Sequence, residues 1–277
     1  MIVIAGQQAG AGDLSPASDL QREIFRQKLN SRQIYSYSSK EELLFELGMR
    51  QAVVEASYAS AASGAQFASF AGSRCNPVYW ELTPRGAFVL RPGVRPSDAI
   101  RDIFINGGLY AYECAVAIVI VLYKAILEVF GNEKFNRYYP NLILYSWHLD
   151  SDLRLVIRER GEAFPGDVLY FDNPDVSPLT PEYQGENAVL LGPNLYFGHG
   201  IGIATAEQII AALNSTRRLF ARRSAYLLDQ VTSLDYPYLY RLQTARDAGA
   251  DQHMLRDQRA SYVSRIGARV YIGAASA

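Results

Sequence analysis

One apolar run limits what this chain can fold into. Within the segment 110–131, YAYECAVAIVIVLYKAILEVFG, every residue from Ala115 to Tyr123 is apolar. A helix that is apolar on all sides must be buried. The run stops at Lys124 and is about half the ~20 residues that a bilayer span needs, so we expect a core helix. Glu113 and Cys114 stand where this helix should begin, and a carboxylate beside a thiol at such a position suggests chemistry.

The composition excludes several classes of function. The chain has 277 residues with 49% hydrophobic and 20% charged residues, typical of a globular protein with an ample core. A net charge of −1 gives no electrostatic reason to expect nucleic acid or an anionic membrane as a partner. The two cysteines, Cys75 and Cys114, make neither a metal-site spacing nor a disulfide framework. The N-terminus MIVIAGQQAGAGD has no signal-peptide pattern, so we expect a protein made and used inside a cell.

The order of patterns along the chain predicts the α+β class. Ser18 and Ser39 each begin a capping-box spacing, and the second helix is expected from about residue 41 to 62. A hairpin is predicted at 78–92, and the cysteine-bearing helix is expected to end at Gly131. The β-rich segments that follow are 141–148, 166–171, 186–192 and 195–203, with one more helix capped by Thr205. Helices followed by a mostly antiparallel sheet indicate one α+β domain over residues 1–241. The tail 242–277 is compatible with one edge strand and has no role that the sequence assigns.

Cys114 is the better candidate for a reactive thiol. A cysteine in the first turn of a helix lies at the positive end of the helix dipole, which is expected to lower its pKa. The unpaired N–H groups of that turn are expected to be free for a developing oxyanion. The alternative is that Cys114 is simply a small core residue, as most free cysteines are. Cys75 lies in a loop-like segment and has no such placement.

A reactive thiol needs a base or a cation, and the histidines offer few choices. His148 ends a predicted strand and His253 lies in the tail, whereas His199 stands between two glycines in LYFGHGIGI. Pairing about residues 192 and 193 would place Glu186 opposite His199 on one face of the sheet. A register slip of one residue would break that pairing. The alternative is a surface glutamate and a core histidine without a catalytic role.

Several motifs together resemble a known family. The segments AIRDIFINGGLYAYECAVAIVIV, LILYSWH, GDVLYFDNP, YQGENAVLLGPNLYFGHGIGI and SAYLL occur in this order. They closely resemble the small spore-coat transglutaminases of Bacillus-type organisms, over roughly residues 1–241. The resemblance implies a papain-like core of the NlpC type, in which a cysteine-bearing helix packs on an antiparallel sheet behind extra N-terminal helices. It also implies protein substrates, namely coat proteins with accessible glutamine and lysine, and a place on the spore coat after synthesis in the mother-cell cytoplasm.

The resemblance also implies the site. It gives Cys114 as the nucleophile, Glu186 as its carboxylate partner, Glu113 as a substitute for Glu186, and His199 as a supporting group. The implied mechanism forms a thioester with glutamine, releases ammonia and passes the acyl group to lysine. Aromatic residues that match the family's apolar substrate tunnel are Phe67, Tyr139, Trp147, Tyr170 and Tyr183.

Two positions depart from the family pattern. The segment 146–148 reads Ser-Trp-His where an acidic residue is expected first, and the aromatic residue before GEN is Tyr183 rather than tryptophan. Both differences concern the tunnel and leave the nucleophile unchanged. No cofactor or metal is implied, because the chain has no calcium-loop pattern of the D-x-D-x-D-G kind.

Two alternatives remain open at the level of sequence. One is a papain-like cysteine amidase or peptidase, which would use water and a Cys-His pair. The other is a catalytically silent coat protein that kept the fold. Incorporation of an amine into a glutamine-bearing protein, with and without a thiol-alkylating reagent, distinguishes the three.

Overall fold

The computed structural model describes residues 1–12, 16–145, 153–159 and 161–245, together with two strands at 262–266 and 269–273. The α-helices in these residues are α1 (Asp19–Asn30), α2 (Lys40–Ala62), α3 (Pro96–Ile105), α4 (Cys114–Tyr138), α5 (Ala206–Ser215) and α6 (Tyr236–Thr244). The strands before residue 145 are short: β1 (Ile2–Ile4), β2 (Gln7–Gln8), β3 (Tyr35–Tyr37), β4 (Gln66–Phe67), β5 (Trp80–Leu82), β6 (Phe88–Leu90), β7 (Ala111–Tyr112) and β8 (Ile143–Leu144).

The later strands form the main sheet. They are β9 (Leu155–Glu159), β10 (Val168–Asp172), β11 (Gly185–Gly192), β12 (Leu195–Gly198), β13 (Gly202–Ala204) and β14 (Tyr226–Leu234). Their order across the sheet is β13-β12-β11-β10-β14-β9, and every neighbouring pair is antiparallel. The prediction of a mixed helix-and-sheet protein, with most of its helices before an antiparallel sheet, is confirmed.

Local signals begin the helices where the sequence predicts. The hydroxyl of Ser18 accepts the backbone N–H of Gln21, and the hydroxyl of Ser39 accepts that of Glu42. Each side chain satisfies one of the donors that a helix N-terminus leaves unpaired. The start of α2 at Lys40 is within one residue of the expected position.

Helix α4 is the centre of the core. Its residues from Val116 to Val121 have no exposed surface, and it packs against α2, α3 and β11. By length and composition α4 could cross a membrane, but 78% of its most apolar window is buried inside the protein, as expected for a core helix. Its expected end at Gly131 is only an interruption. Gly131 has φ +74°, a left-handed conformation that glycine adopts readily, and the helix then resumes as far as Tyr138.

The C-terminal part differs from the expectation. Helix α6 continues to Thr244, so the boundary expected after residue 241 falls inside its last turn. In place of one edge strand, the tail has two, β15 (Tyr262–Ile266) and β16 (Arg269–Gly273), which pair with each other in antiparallel fashion. His253, named above among the histidines, lies outside the described residues.

A buried ion network joins the N-terminal layer to the main sheet. Glu46 on α2 accepts hydrogen bonds from Lys28 on α1 and from Arg50, each at 2.7 Å. Arg50 also donates to Asp167 at 2.9 Å, one residue before β10. All four side chains are at most 8% exposed. Buried charges are tolerated when each is paired in this way, and the pairing holds the start of β10 against α2.

Candidate active site

The start of α4 places the thiol. Cys114 is the first residue of the helix and is 2% exposed. Glu113 is the N-cap: its Oε2 accepts the Ala115 N–H at 2.9 Å, and its Oε1 lies 3.2 Å from the Cys114 sulfur as acceptor. The Ala115 N–H, expected to be free for an oxyanion, is therefore taken up by Glu113. The Glu113 carboxylate therefore both caps the start of α4 and contacts the thiol.

Strand β11 provides the opposite side of the site. The Nδ2 amide of Asn187 donates to the Cys114 sulfur at 3.4 Å. Glu186, one residue earlier, is 5% exposed. Among the described residues, none hydrogen-bonds to its Oε1. Tyr170 on β10 pairs with Asn187 across the ladder and is also buried. Strand β11 therefore sets an amide donor against the thiol and carries a buried carboxyl group one residue earlier.

Burial determines the charge state of the thiol. Burial raises the pKa of Cys114 well above its ordinary value, and Glu186 and Glu113 raise it further. The backbone N–H and side-chain amide of Asn187 oppose this increase without reversing it. The expectation that the helix dipole lowers the thiol pKa is wrong for this site. A dipole acts as about half a charge, whereas full desolvation can shift a pKa by about 3–5 units.

The two carboxyl groups are shifted in the same direction. Burial raises the pKa of Glu113, although the Ala115 N–H and the thiol oppose it. Burial and the nearby Glu113 carboxylate raise the pKa of Glu186 well above its ordinary value, with the His199 backbone N–H opposing. Like charges held close together in an apolar site resist ionising at the same time. The thiol and the two carboxyls therefore disfavour more than one negative charge among them, and the thiol contacts the Glu113 carboxyl directly.

His199 lies beside this group in a different role from that of a base. Its Nε2 lies 3.1 Å from the carbonyl oxygen of Gln66, and its ring stacks on Tyr112 with 4.5 Å between centroids. Burial lowers the pKa of His199 to about 4, against the opposing effect of the Gln66 and Tyr112 carbonyls. The imidazole is therefore neutral near pH 7. In the described part of the chain, the thiol's hydrogen-bond partners are Glu113 and Asn187.

The expected pairing of Glu186 with His199 is off by one residue. The observed register pairs Ala188 with Gly198, and it shifts between Leu190 and Gly192 because one extra residue is accommodated there. The sequence gives no sign of this irregularity. In the observed register the Glu186 carboxyl lies over Gly198: a Cβ at Gly198 would be 2.8 Å from Oε1 of Glu186. A side chain at position 198 would therefore displace the buried carboxyl.

The aromatic residues expected to line a tunnel fall into separate groups. Phe67 lies against both Tyr183 and His199, with ring centroids 5.8 Å and 6.2 Å apart. Tyr170 lies near the thiol, whose charge contributes to raising the pKa of Tyr170. Tyr139 instead packs on Phe135 and Tyr123 in the core, beyond the far end of α4. Trp147 lies outside the described residues.

Asn187 is a site residue that the sequence patterns did not single out. It stands within the GEN motif, next to Glu186. An asparagine inside an otherwise apolar strand needs hydrogen-bond partners once it is buried, and Asn187 is 2% exposed. Its amide nitrogen donates to the Cys114 sulfur, whereas no described residue hydrogen-bonds to its Oδ1.

The comparisons with known proteins identify the family. The model of the family "Protein-glutamine gamma-glutamyltransferase" matches residues 1–243. The proteins of that name from Bacillus cereus (strain AH820) and Bacillus mycoides (strain KBAB4) are each 43% identical to this chain over 223 residues, covering 80% of this chain and 81% of the relative. The solved structure of a transglutaminase from Geobacillus stearothermophilus, without its C-terminal extension, superposes with a TM-score of 0.71 and 53% identity. It covers 76% of this chain and all of that chain.

This chain therefore belongs to the protein-glutamine γ-glutamyltransferase family. The expectation of a transglutaminase, taken from the order of the ECA, GEN and GHG motifs, is confirmed.

We expect Asn187→Ala to raise the pKa of Cys114 further, because the thiolate would lose its side-chain donor. A hydrogen bond to a charged group contributes about 1.5–3 kcal/mol, which corresponds to about 1–2 pKa units. The measurement is the rate of Cys114 alkylation by iodoacetamide as a function of pH, with the modified peptide quantified by mass spectrometry. Asn132→Ala, at an exposed asparagine, is the control. An unchanged alkylation profile in a folded Asn187→Ala protein would show that the amide does not stabilise the thiolate.

Proposed function

We propose that this protein forms ε-(γ-glutamyl)lysine isopeptide bonds between proteins through a thioester at Cys114. The observation that carries the proposal is the thiol's placement at the N-terminus of α4, in contact with Glu113 and within the electrostatic influence of Glu186. A thiol is the nucleophile that such acyl transfer requires, and the carboxyls supply the proton carriers.

The acylation step uses groups that lie near one another: Glu113 contacts the thiol, and Glu186 is close enough to raise the thiol pKa. As the Cys114 sulfur bonds to the side-chain carbonyl carbon of glutamine, its proton passes to a neighbouring carboxylate. That carboxyl then protonates the leaving nitrogen, the carbon–nitrogen bond breaks, and ammonia departs. In the second step a lysine amine bonds to the same carbon, the carbon–sulfur bond breaks, and the amine's proton returns to sulfur through the carboxyl. Each proton leaves and re-enters within the cluster of Cys114, Glu113 and Glu186.

The raised carboxyl pKa values make this proton transfer feasible. An ordinary carboxyl near ~4.3 and an ordinary thiol near ~8.5 differ by about four units, so the carboxylate would be a weak base. In this site burial raises the pKa of Glu186 and thus increases its basicity toward the incoming amine. We assign Glu186 the main role because none of the described residues hydrogen-bonds to its buried Oε1, so this oxygen has no partner to give up. Glu113, already engaged by Ala115 N–H, is its partial substitute.

The state of His199 argues against the amidase alternative. A papain-like amidase needs a thiolate–imidazolium pair. The His199 ring is neutral near pH 7 because burial lowers its pKa to about 4, and its Nε2 is engaged by Gln66. We assign His199 a supporting role: its stacked ring packs between β7 and the Glu186 side of the sheet.

We extend the proposal to the type of core, the surroundings of the active site and the location of the protein in the cell. We assign the core to the papain-like, NlpC type, since an N-terminal cysteine on a central helix faces an antiparallel sheet. Phe67, Tyr170 and Tyr183 line the glutamine approach, and the dry surroundings protect the thioester from hydrolysis. The coat-protein substrates and the route from mother-cell cytoplasm to spore coat follow from the resemblance to the spore-coat enzymes.

We propose that catalysis is independent of calcium. The described residues contain no group of three or more His, Cys, Asp or Glu side chains that could hold a metal ion. The chemistry above places every charge change on the thiol and the two carboxyls.

Cys114→Ala is expected to abolish incorporation of monodansylcadaverine into casein, while Cys75→Ala keeps most of the activity. Cys75 is only half-buried, and burial raises its pKa to about 11, so it is a poor nucleophile near neutral pH. The assay is run with excess EDTA and with added calcium. Loss of activity in a folded Cys75→Ala protein, or a strict calcium requirement, would contradict the assignment.

Glu186→Gln is expected to lower kcat/KM by about 10²–10⁴, the usual contribution of general acid–base catalysis. Glu113→Gln should lower it less, and the double variant should fall below either single variant if the carboxyls substitute for each other. His199→Ala should weaken activity through lost packing. A nearly inactive His199→Ala enzyme beside a merely impaired Glu186→Gln enzyme would instead indicate a thiol–imidazole mechanism.

Stability provides the control for Glu186→Gln. An acid whose pKa is raised by folding destabilises the native state as pH rises above its unfolded value of about 4.3. Glutamine has no such ionisation. The variant's free energy of unfolding in urea should therefore equal or exceed that of the wild type at pH 8, so that lost activity cannot be attributed to lost structure.

A further inference from the structure

The segment between α5 and β14 has a composition unlike the rest of the surface. Residues 217–223, RRLFARR, contain four arginines around Leu219 and Phe220, and we call this segment the arginine loop. Leu219 is 84% exposed and Phe220 is 91% exposed. The chain as a whole has a net charge of −1, so this is a local concentration of positive charge. Two fully exposed apolar side chains between cations are typical of a binding surface.

The arginine loop is fixed in place by one buried carboxylate. Oδ1 of Asp175 accepts hydrogen bonds from Arg218 at 3.2 Å and from Nη2 of Arg223 at 2.8 Å. Oδ2 accepts the backbone N–H groups of Arg222 and Arg223, both at 2.9 Å. Phe220 has φ +60°, a left-handed conformation that is uncommon for an aromatic residue. A strained backbone that holds an apolar side chain in solvent has no benefit for folding, and such strain is common at functional sites.

The loop encloses a depression with a definite chemistry. Asp175, Arg218, Leu219, Phe220, Arg222 and Arg223 line a space of about 560 Å³. The carboxylate of Asp175 accepts hydrogen bonds from the arginine loop, whereas the side chains of Arg218 and Arg223 remain 57% and 66% exposed. Arg222 has no ion pair within the described residues. Planar guanidinium groups beside apolar side chains suit a ligand that carries carboxylates next to apolar residues. A concave surface of this kind fits protruding side chains of a polypeptide better than a flat lipid surface.

The arginine loop lies close to the proposed site. Asp175 follows β10 by three residues, and Tyr170 in β10 lies near the thiol. The five residues from Tyr170 to Asp175 span at most about 17 Å at ~3.3 Å per residue. A peptide segment held at the loop therefore has its neighbouring residues within reach of Cys114.

We propose that the arginine loop is a docking surface for an acidic, apolar segment of the protein substrate, a few residues away from the reacting glutamine. The inference rests on the proposed function, because it assumes that Cys114 acts on protein side chains. It adds a substrate class: glutamines flanked by acidic and apolar residues react faster than the same glutamines in a neutral context.

The test compares three peptides that share the same reactive glutamine sequence followed by a five-residue Gly-Ser spacer. They differ in the segment after the spacer: the acidic peptide carries Glu-Glu-Leu-Phe-Glu-Glu, the neutral peptide Gly-Ser repeats, and the basic peptide Arg-Arg-Leu-Phe-Arg-Arg. The loop variant Leu219→Ser/Phe220→Asn/Arg222→Gln removes three exposed side chains, leaves the Asp175 contacts, and places at 220 a residue that tolerates positive φ. The control variant Val78→Ser/Ile105→Asn/Arg85→Gln removes similar exposed side chains elsewhere.

For the wild type and the control variant, we expect kcat/KM to be about tenfold higher for the acidic peptide than for the neutral one, mainly through KM. The preference should weaken as salt is added. In the loop variant the three peptides should react equally, while activity on a small glutaminyl dipeptide is unchanged. Equal use of all peptides by the wild type, or an intact preference in the loop variant, would overturn the proposal.

A binding measurement separates this inference from the proposed reaction. Fluorescence anisotropy of the labelled acidic peptide should show binding to the Cys114→Ala protein and loss of binding when the loop changes are added. Binding of that peptide without turnover of any glutamine substrate would refute the proposed reaction and leave the docking surface intact. Binding to phosphatidylserine vesicles without binding to the peptide would refute the docking surface and identify the loop as a membrane contact.

Discussion

The complete enclosure of helix α4 is the constraint on which the rest of the structure depends. A helix that is apolar on every side needs partners all round, and α2, α3 and β11 supply them. Its N-terminus is buried with it, so the Cys114 thiol loses its contact with water and Glu113 keeps only part of its surface exposed. A helix dipole contributes about 0.3–1 kcal/mol to a neighbouring charge, which is less than the cost of removing that charge from water. Burial therefore favours the protonated thiol in the resting site.

Two buried glutamates in this protein show how neighbouring charges determine the pKa of a carboxyl. Burial by itself would raise the pKa of Glu46, but Lys28 and Arg50 lower it to about 2. Glu186 is equally buried, but the neighbouring charge is Glu113, and its pKa rises. Glu46 thus remains ionised and, through Lys28 and Arg50, helps to join α2 to α1 and to Asp167 before β10, whereas Glu186 favours its neutral form. The same residue type is thus charged in one buried place and favours the neutral form in the other.

The features that the sequence predicted well are those set by local interactions. Ser18 and Ser39 cap their helices because the cap depends on residues within one turn. The start of α4 at Cys114 follows from the apolar run, and the contact of Glu113 with the thiol follows from its place just before that start. The register between β11 and β12 was off by one because the turn pairs Gly192 with Leu195, later than expected, and the extra residue near Leu190 removes only part of that offset. The direction of the thiol pKa was wrong because burial and the position of Glu186 are properties of the assembled sheet. Tyr139 matched a tunnel position in the sequence, but its ring packs in the core.

The carboxyls and the buried surroundings are expected to keep Cys114 protonated at neutral pH, with no imidazolium to form an ion pair. The most direct test is the rate of Cys114 alkylation by iodoacetamide from pH 5 to pH 10, in the wild type and in His199→Ala. We expect slow alkylation at pH 6–7 and a rise only above about pH 8.5, which is the ordinary pKa of a thiol. The pH profile should be similar when His199 is replaced. A rate that is already at its plateau at pH 5 and collapses in the His199→Ala protein would contradict it.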